Sequence, residues 1–288
     1  MSAPRHWPAR RPSGRLARRP SGGLAPLFAL ALLAFAAGAA LLCAPPPDAR
    51  EQVIASYSTS LQHRSAGQIA NALRAARALD GAVIEPHATF SFNRRIGPWT
   101  ADQGYRRAPV SYDGEITLAV GGGVCQLSTT LYAAALLGGM DLLERHRHFW
   151  PVNYARPGLD AAVAYPGIDL RFRNPLPAAV RIRARRSGDR LIVELLSRAR
   201  AGSGPSAGSY SVELERKSVT PPSTLLRVDD HLSPGQIIRA NRGQPGCEVA
   251  VYRVRNNKDG NSDRALISVD SYPTLNRIIK VAPDRAGR

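Results

Sequence analysis

The stretch GGGVCQLSTTLY at residues 121–132 decides how the rest of the chain is read. Three adjacent glycines are costly to order, because each loses more backbone entropy than any other residue. They point to a backbone that takes positive φ or approaches something closely. Leu131, Tyr132, Ala133, Ala134, Ala135, Leu136 and Leu137 follow, which predicts a helix from Val124 to about Leu137, closed by Gly138-Gly139. Cys125 then lies in the first helical turn, where unpaired N–H groups and the positive end of the macrodipole favour a thiolate. The plainer reading is a glycine loop before a core helix, with Cys125 filling space as a small buried residue.

Outward from that string, charge is the first guide. The 288 residues allow one large domain, or two small ones, plus a leader, and they carry a formal net charge of +17. Arg5, Arg10, Arg11, Arg15, Arg18 and Arg19 stand together at the N-terminus with no acidic residue among them. The remaining charge is mixed, with no stacking platform or zinc spacing beside it, so no nucleic-acid partner is expected. A basic surface facing an anionic cell envelope fits better. The uncharged run from Leu24 to Leu42 is long enough to span a bilayer, and the arginines before it place the N-terminus in the cytoplasm. A cleaved signal peptide is the rival reading. Either way, everything after about Pro47 is expected outside the cytoplasm, tethered or released into the envelope. Cys43 belongs to this leader; Cys125 and Cys247 remain, and in an oxidising compartment they either pair or stand free.

Elsewhere the chain reads as one helix at 68–79, with Ile69, Ala72, Leu73, Ala76 and Leu79 on one face, and many short strands. Strands are expected at 83–84, 90–93 and 116–120, around the aromatics Phe149, Trp150 and Tyr154, and at 158–163 and 167–172. A hairpin is expected over 178–196. Residues 200–208, rich in Gly, Ser and Pro, read as a linker before a small β-rich module at 209–288. The resulting fold class is α+β. The Cys-bearing helix packs on an antiparallel sheet in the 51–199 domain, possibly in the manner of transglutaminase-like or papain-like folds, behind a 1–50 leader.

A cysteine nucleophile needs a base to take its proton and a third group to orient that base. Cys125, then His148, then Asp169 or Asp160 stand in workable order. The glycines Gly121, Gly122 and Gly123 and the amide of Gln126 offer donors for an oxyanion. Ser128 and Thr129 line the same helix, as pocket groups or as helix caps. Arg173 and Asn174 either bond an acidic ligand or form the solvated face of a strand. His146 and His148 sit at i, i+2 without an HExxH or CxxC context, so no metal is expected, and no cofactor either.

Taken together, FSFN, GGGVCQLSTTLY, ERHRH and DLRFRN, running from about Ser58 to Asn174, resemble the VanW family of bacterial envelope proteins. The tail, with GCEVAVYRV and LISVDSY, is similar to the small β extension that closes such proteins. His87 and Phe149 depart from the family pattern. The resemblance implies an envelope protein, associated with vancomycin-resistance clusters, whose partner is cell-wall peptidoglycan or its precursors. It does not settle whether Cys125 acts on an amide bond or is structural in a wall-binding or scaffold protein.

Overall fold

The structure is a computed structural model that describes residues 51–112, 115–198, 209–256 and 261–283. The arginine-flanked run at 24–42, Cys43 and the linker at 200–208 lie outside the described residues. The described residues all fall within one compact unit, Asp48–Arg288. None of their helices is long and apolar enough to cross a membrane.

At the centre stands α3 (Val124–Leu137), whose buried residues run almost all round it, as expected of a helix enclosed by other elements. Leu127, Leu131 and Leu136 are fully buried, each contributing roughly 1.5–3 kcal/mol relative to exposure. Against it packs α1 (Ala66–Leu79), which buries Ala72, Ala75, Ala76 and Leu79. Ser65 and Gln68 form a reciprocal capping box at its start. Also on α3 lie β1 (Gln52–Ser60) and β9 (Arg190–Ser197) of an antiparallel four-stranded sheet. Its order is β1-β9-β8-β2, with β8 (Val180–Ser187) and β2 (Val83–Ile84).

Around this lie smaller sheets. Strands β3 (Thr89–Ser91), β7 (Arg171–Arg173) and β6 (Asp141–Glu144) form one, and β4 (Arg107–Tyr112) with β5 (Glu115–Val120) another. The tail forms two more. One is β10-β13-β14 (Tyr210–Thr220, Gly246–Asn256, Ser262–Tyr272); the other is β11-β15-β12 (Thr224–Val228, Arg277–Val281, Ile237–Asn241).

The expected α+β, papain-like class is therefore wrong. Among the described residues there are fifteen strands and only three helices, and these build several mostly antiparallel sheets rather than a helix-packed α+β layer. The two long helices, α1 by its apolar stripe and α3 by its Leu- and Ala-rich run, dominate a reading by local pattern. The short strands gain their weight only through partners distant in sequence. Several local expectations also change, and residues 158–163 hold only the isolated bridge at Ala162 instead of a strand. FSFN is divided, its first half in β3 and Phe92–Ile96 in the short helix α2, because Ser91 accepts a hydrogen bond from Arg94 N and caps a turn there. The aromatics after His148 lie in an irregular segment instead of a strand.

Candidate functional site: a cysteine–histidine–aspartate cluster at a helix start

The glycine loop is shaped by protein rather than by open space. Gly121 (φ 87°) and Gly123 (φ 109°) are left-handed, and a Cβ on Gly123 would stand 2.3 Å from the Gln68 carbonyl oxygen. A Cβ on Gly122 would meet the carbonyl oxygens of Ala108 and Pro109, each at 2.8 Å. Asn71 of α1 fastens the loop by donating to the carbonyls of Gly122 and Arg106, both at 2.9 Å. The outcome is a helix start with no side-chain cap and with Cys125 in its first turn, half-buried.

Cys125, Ser128 and Thr129 share a helix face by their i, i+3, i+4 spacing. Ser128 Oγ donates to the Ala161 carbonyl at 2.6 Å, and Thr129 Oγ1 accepts from Ala161 N at 3.0 Å. These two hydroxyls dock the 160–163 segment onto α3, and the Cys125 thiol reaches the Val163 carbonyl at 3.4 Å. That segment in turn pairs antiparallel with the RHRH run through the His146–Ala162 bridge. In that register His148 falls opposite Asp160. Asp160 Oδ2 accepts from both the backbone N and Nδ1 of His148, each at 2.7 Å. With Nδ1 held there, Nε2 is the nitrogen left for Cys125, whose thiolate the imidazole favours.

Asp160 itself is 1% exposed. Its other oxygen accepts from Arg145 Nη2 at 3.2 Å and from the Tyr272 hydroxyl at 2.5 Å. Arg145 is clamped by Asp270 on its other side, with 2.7 Å contacts to both carboxylate oxygens. Tyr272 and Asp270 both come from β14, so the tail supplies the groups that hold the carboxylate in place. Burial opposes ionisation of Asp160, but His148 and Arg145 outweigh it and keep the carboxyl below its usual range. His148 is pushed up to about 9: burial resists the charge, while Asp160 and Cys125 favour it more strongly. For Cys125, burial raises the thiol and the hydrogen bond and charge of His148 more than reverse this. The three groups therefore favour a thiolate–imidazolium pair backed by a carboxylate.

The other sequence candidates stand elsewhere. Asp169 accepts from Ser91 Oγ, Asn93 N and Leu170 N, tying α2 to the neighbouring chain. The Gln126 amide is spent on Ser60 O and Thr59 Oγ1 at the end of β1. Ser128 and Thr129 are fully buried positioning groups. Arg173 pairs with Asp141 on an exposed strand, and fully buried Asn174 ties the chain to the carbonyls of Ile84, Glu85 and Ala178. His146 turns to Glu144. No group of three or more His, Cys, Asp and Glu side chains among the described residues is placed to hold a metal ion. Cys247 is buried in β13, and both it and Cys125 are free thiols. Arg145, Asp270 and Tyr272 were not singled out from sequence. No local signal marks them: Asp270 and Tyr272 act across more than a hundred residues of chain, and Arg145 joins Asp270 to Asp160.

The thiol opens onto a cleft of about 740 Å³. Its walls come from the glycine loop, the β4–β5 hairpin, residues 148–154, and the tail at 241–244 with Leu275. Residues 67–196, which hold all three groups of the cluster, match the family model described as VanW like protein. This segment belongs to the VanW family. The chain is 38% identical over 146 residues to the "Uncharacterized protein YoaR" of Bacillus subtilis (strain 168), an alignment covering 51% of this chain and 48% of that protein. It is 31% identical over 112 residues to the "Vancomycin B-type resistance protein VanW" of Enterococcus faecalis, covering 37% and 41%. The chain thus spans less than half the length of either relative. Two solved structures align to about a quarter of the chain each. They are an IgA1 protease G5 domain (26% of this chain and 89% of that one, 16% identity, TM-score 0.20) and HP0197-G5 (25% and 97%, 23% identity, TM-score 0.15). Asp270 and Tyr272 lie outside the VanW match, yet Tyr272 donates to its Asp160 and Asp270 holds its Arg145.

Proposed function

We propose that this chain is an extracytoplasmic, envelope-associated protein in which Cys125 is a nucleophile acting on an amide bond in the peptide part of the cell wall. The observation that carries the reading is that Cys125 and His148 line one cleft, with Asp160 buried behind the imidazole and bonded to its Nδ1. In the proposed reaction the thiolate attacks the amide carbonyl carbon. The C–N bond breaks, the His148 imidazolium gives its proton to the departing amine, and a thioester to Cys125 remains. Water or a second amine then attacks that thioester with His148 as base, and Cys125 leaves again as thiolate. Asp160 holds the imidazole by Nδ1 so that Nε2 faces the thiol. Of the first-turn N–H groups of α3, those of Val124 and Gln126 already donate to Gly121 O and Gly123 O, which leaves the Cys125 N–H as the candidate donor for the developing oxyanion.

Location outside the cytoplasm is supported by the uncharged run at 24–42 behind six arginines, and the name of the Enterococcus relative supports an envelope setting. A reporter fused after Arg288 is expected to be active only outside the cytoplasm. The catalytic reading is tested by incubating the purified chain with peptidoglycan and its soluble fragments and reading the products by mass spectrometry. New amine and carboxyl ends, or exchanged amides, are expected with the native chain and not with Cys125→Ala. A second reading, a wall-binding protein with a structural thiol, is favoured by the contact of the thiol with the Val163 carbonyl. It takes over if the native chain binds wall fragments and yields no product.

A further inference from the structure

The cleft carries unused polar groups that the cysteine chemistry does not employ. Arg64 lies half-buried at its edge. Its Nη1 donates to Asn153 Oδ1 at 3.3 Å, its guanidinium stacks over the Tyr154 ring at 5.1 Å, and its Nε is buried with no acceptor. No carboxylate pairs with it among the described residues. Across the same cleft, Asn241 Nδ2 and Gln244 Oε1 are likewise buried without partners, although Asn241 Oδ1 is fully engaged by Gly243 N and Ile278 N. Three of the five buried, unpartnered side-chain atoms among the described residues thus belong to residues that line one cleft. No Asp or Glu side chain is among the described residues that line it, while Arg242 adds a second guanidinium. Burying a cation without a counter-charge is costly, and so is leaving amide groups unsatisfied. A ligand that restores both would be an anion carrying amide groups.

We propose that Arg64 anchors a carboxylate of the ligand, and that the ligand is a peptide whose free carboxylate lies within a few residues of the amide presented to Cys125. The spacing follows from the stacking. Tyr154 carries Arg64 on its face and meets the His148 ring edge-on at 6.4 Å between centroids, so one aromatic ring separates the guanidinium from the catalytic imidazole. An extended peptide advances about 3.3 Å per residue, which limits the carboxylate to the near neighbourhood of the reacting bond. A planar guanidinium is suited to this task, because it meets a carboxylate with paired, charge-assisted hydrogen bonds. Asn241 and Gln244 would then receive the peptide's own amide carbonyl and N–H.

This inference rests on the peptide-directed reading above and narrows its substrate class. It is tested by calorimetric titration of the full chain carrying Cys125→Ala, so that binding is measured without turnover. The probes are N-acetyl-Ala-Ala with a free C-terminal carboxylate and the same peptide as its C-terminal amide, each in the all-L and all-D forms. At least one acid is expected to bind about tenfold or more tightly than its amide, the usual scale for a hydrogen bond to a charged group. Adding Arg64→Gln should collapse that ratio to about one, and Arg64→Lys should keep part of it. The proposal is overturned if acid and amide bind alike or neither binds. It is overturned equally if the ratio survives Arg64→Gln in a chain whose circular dichroism is unchanged. Failure of the nucleophile reading looks different, since Cys125 of the native chain would then alkylate like an ordinary thiol whatever the peptides do.

Discussion

Replacing His148 by glutamine removes the imidazolium while keeping a side chain of similar reach, and its effect on Cys125 has a definite sign. Of the influences on the thiol, burial and the Asp160 charge both raise its pKa, and His148, ahead of the contact with Val163, brings it down. A unit charge at about 4 Å with an effective dielectric near 20 is worth roughly 4 kcal/mol, or about 3 pH units as an upper bound. His148 is 21% exposed, so part of this is screened. A rise of at least ~1 pH unit is expected, carrying the midpoint above the value of about 8.5 for a free thiol. The assay is the rate of iodoacetamide alkylation of Cys125 between pH 5 and 10, with the labelled residue identified by mass spectrometry. In the native chain the rate should rise through a midpoint below about 8.5. His148 has its folded pKa raised to about 9, so its share of stability is full below the unfolded value of about 6.5 and is lost as pH climbs through about 9. The thiol, whose pKa is lowered, contributes in the opposite sense, and its share is lost as pH falls through its folded value. The ion pair therefore occupies the window between the lowered thiol pKa and about 9. His146→Gln is the control, because its ring faces Glu144. A midpoint that stays put or falls in His148→Gln refutes the pairing, as does a native Cys125 that resists alkylation throughout.

Two further outcomes follow from the surroundings of the site. Arg145→Met leaves Asp160 and Asp270 buried without their shared cation, which should destabilise the chain by about 3–5 kcal/mol, read from urea unfolding; a loss below 1 kcal/mol would show the network to be incidental. Gly122→Ala forces a methyl to within 2.8 Å of two backbone carbonyl oxygens, whereas Gly167→Ala meets nothing within 4 Å. The first should cost on the order of 1–3 kcal/mol, as overpacking does, and the second well under 1, in the same unfolding assay. Equal costs would contradict the close approach of the loop to β4.

Local patterns were legible wherever the cause is local. The helix at 124–137 follows from the Leu- and Ala-rich run at 131–137 after the glycines, and α1 from its 3.6-residue apolar stripe. The β8–β9 hairpin follows from the turn at Gly188 between alternating strands. Cys125 and His148 were recognisable as residue types suited to one another. The choice between Asp160 and Asp169 was not. Both carboxylates sit in short strand-like segments downstream of His148, and only the His146–Ala162 register sets Asp160 opposite it while α2 claims Asp169.

The sequence by itself determined a glycine loop and a cysteine in the first turn of the helix that follows it. These depend on backbone freedom and periodicity, which act over a few residues. Only the tertiary structure decided the fold class, the identity of the carboxylate, and the part of β14 in holding it. Those features come from strand pairing and from buried charges seeking partners. Tyr272 and Asp270 reach Asp160 and Arg145 from more than a hundred residues away. Long-range contacts of this kind satisfy desolvated groups wherever the chain brings them, and they leave no spacing in the sequence to be read.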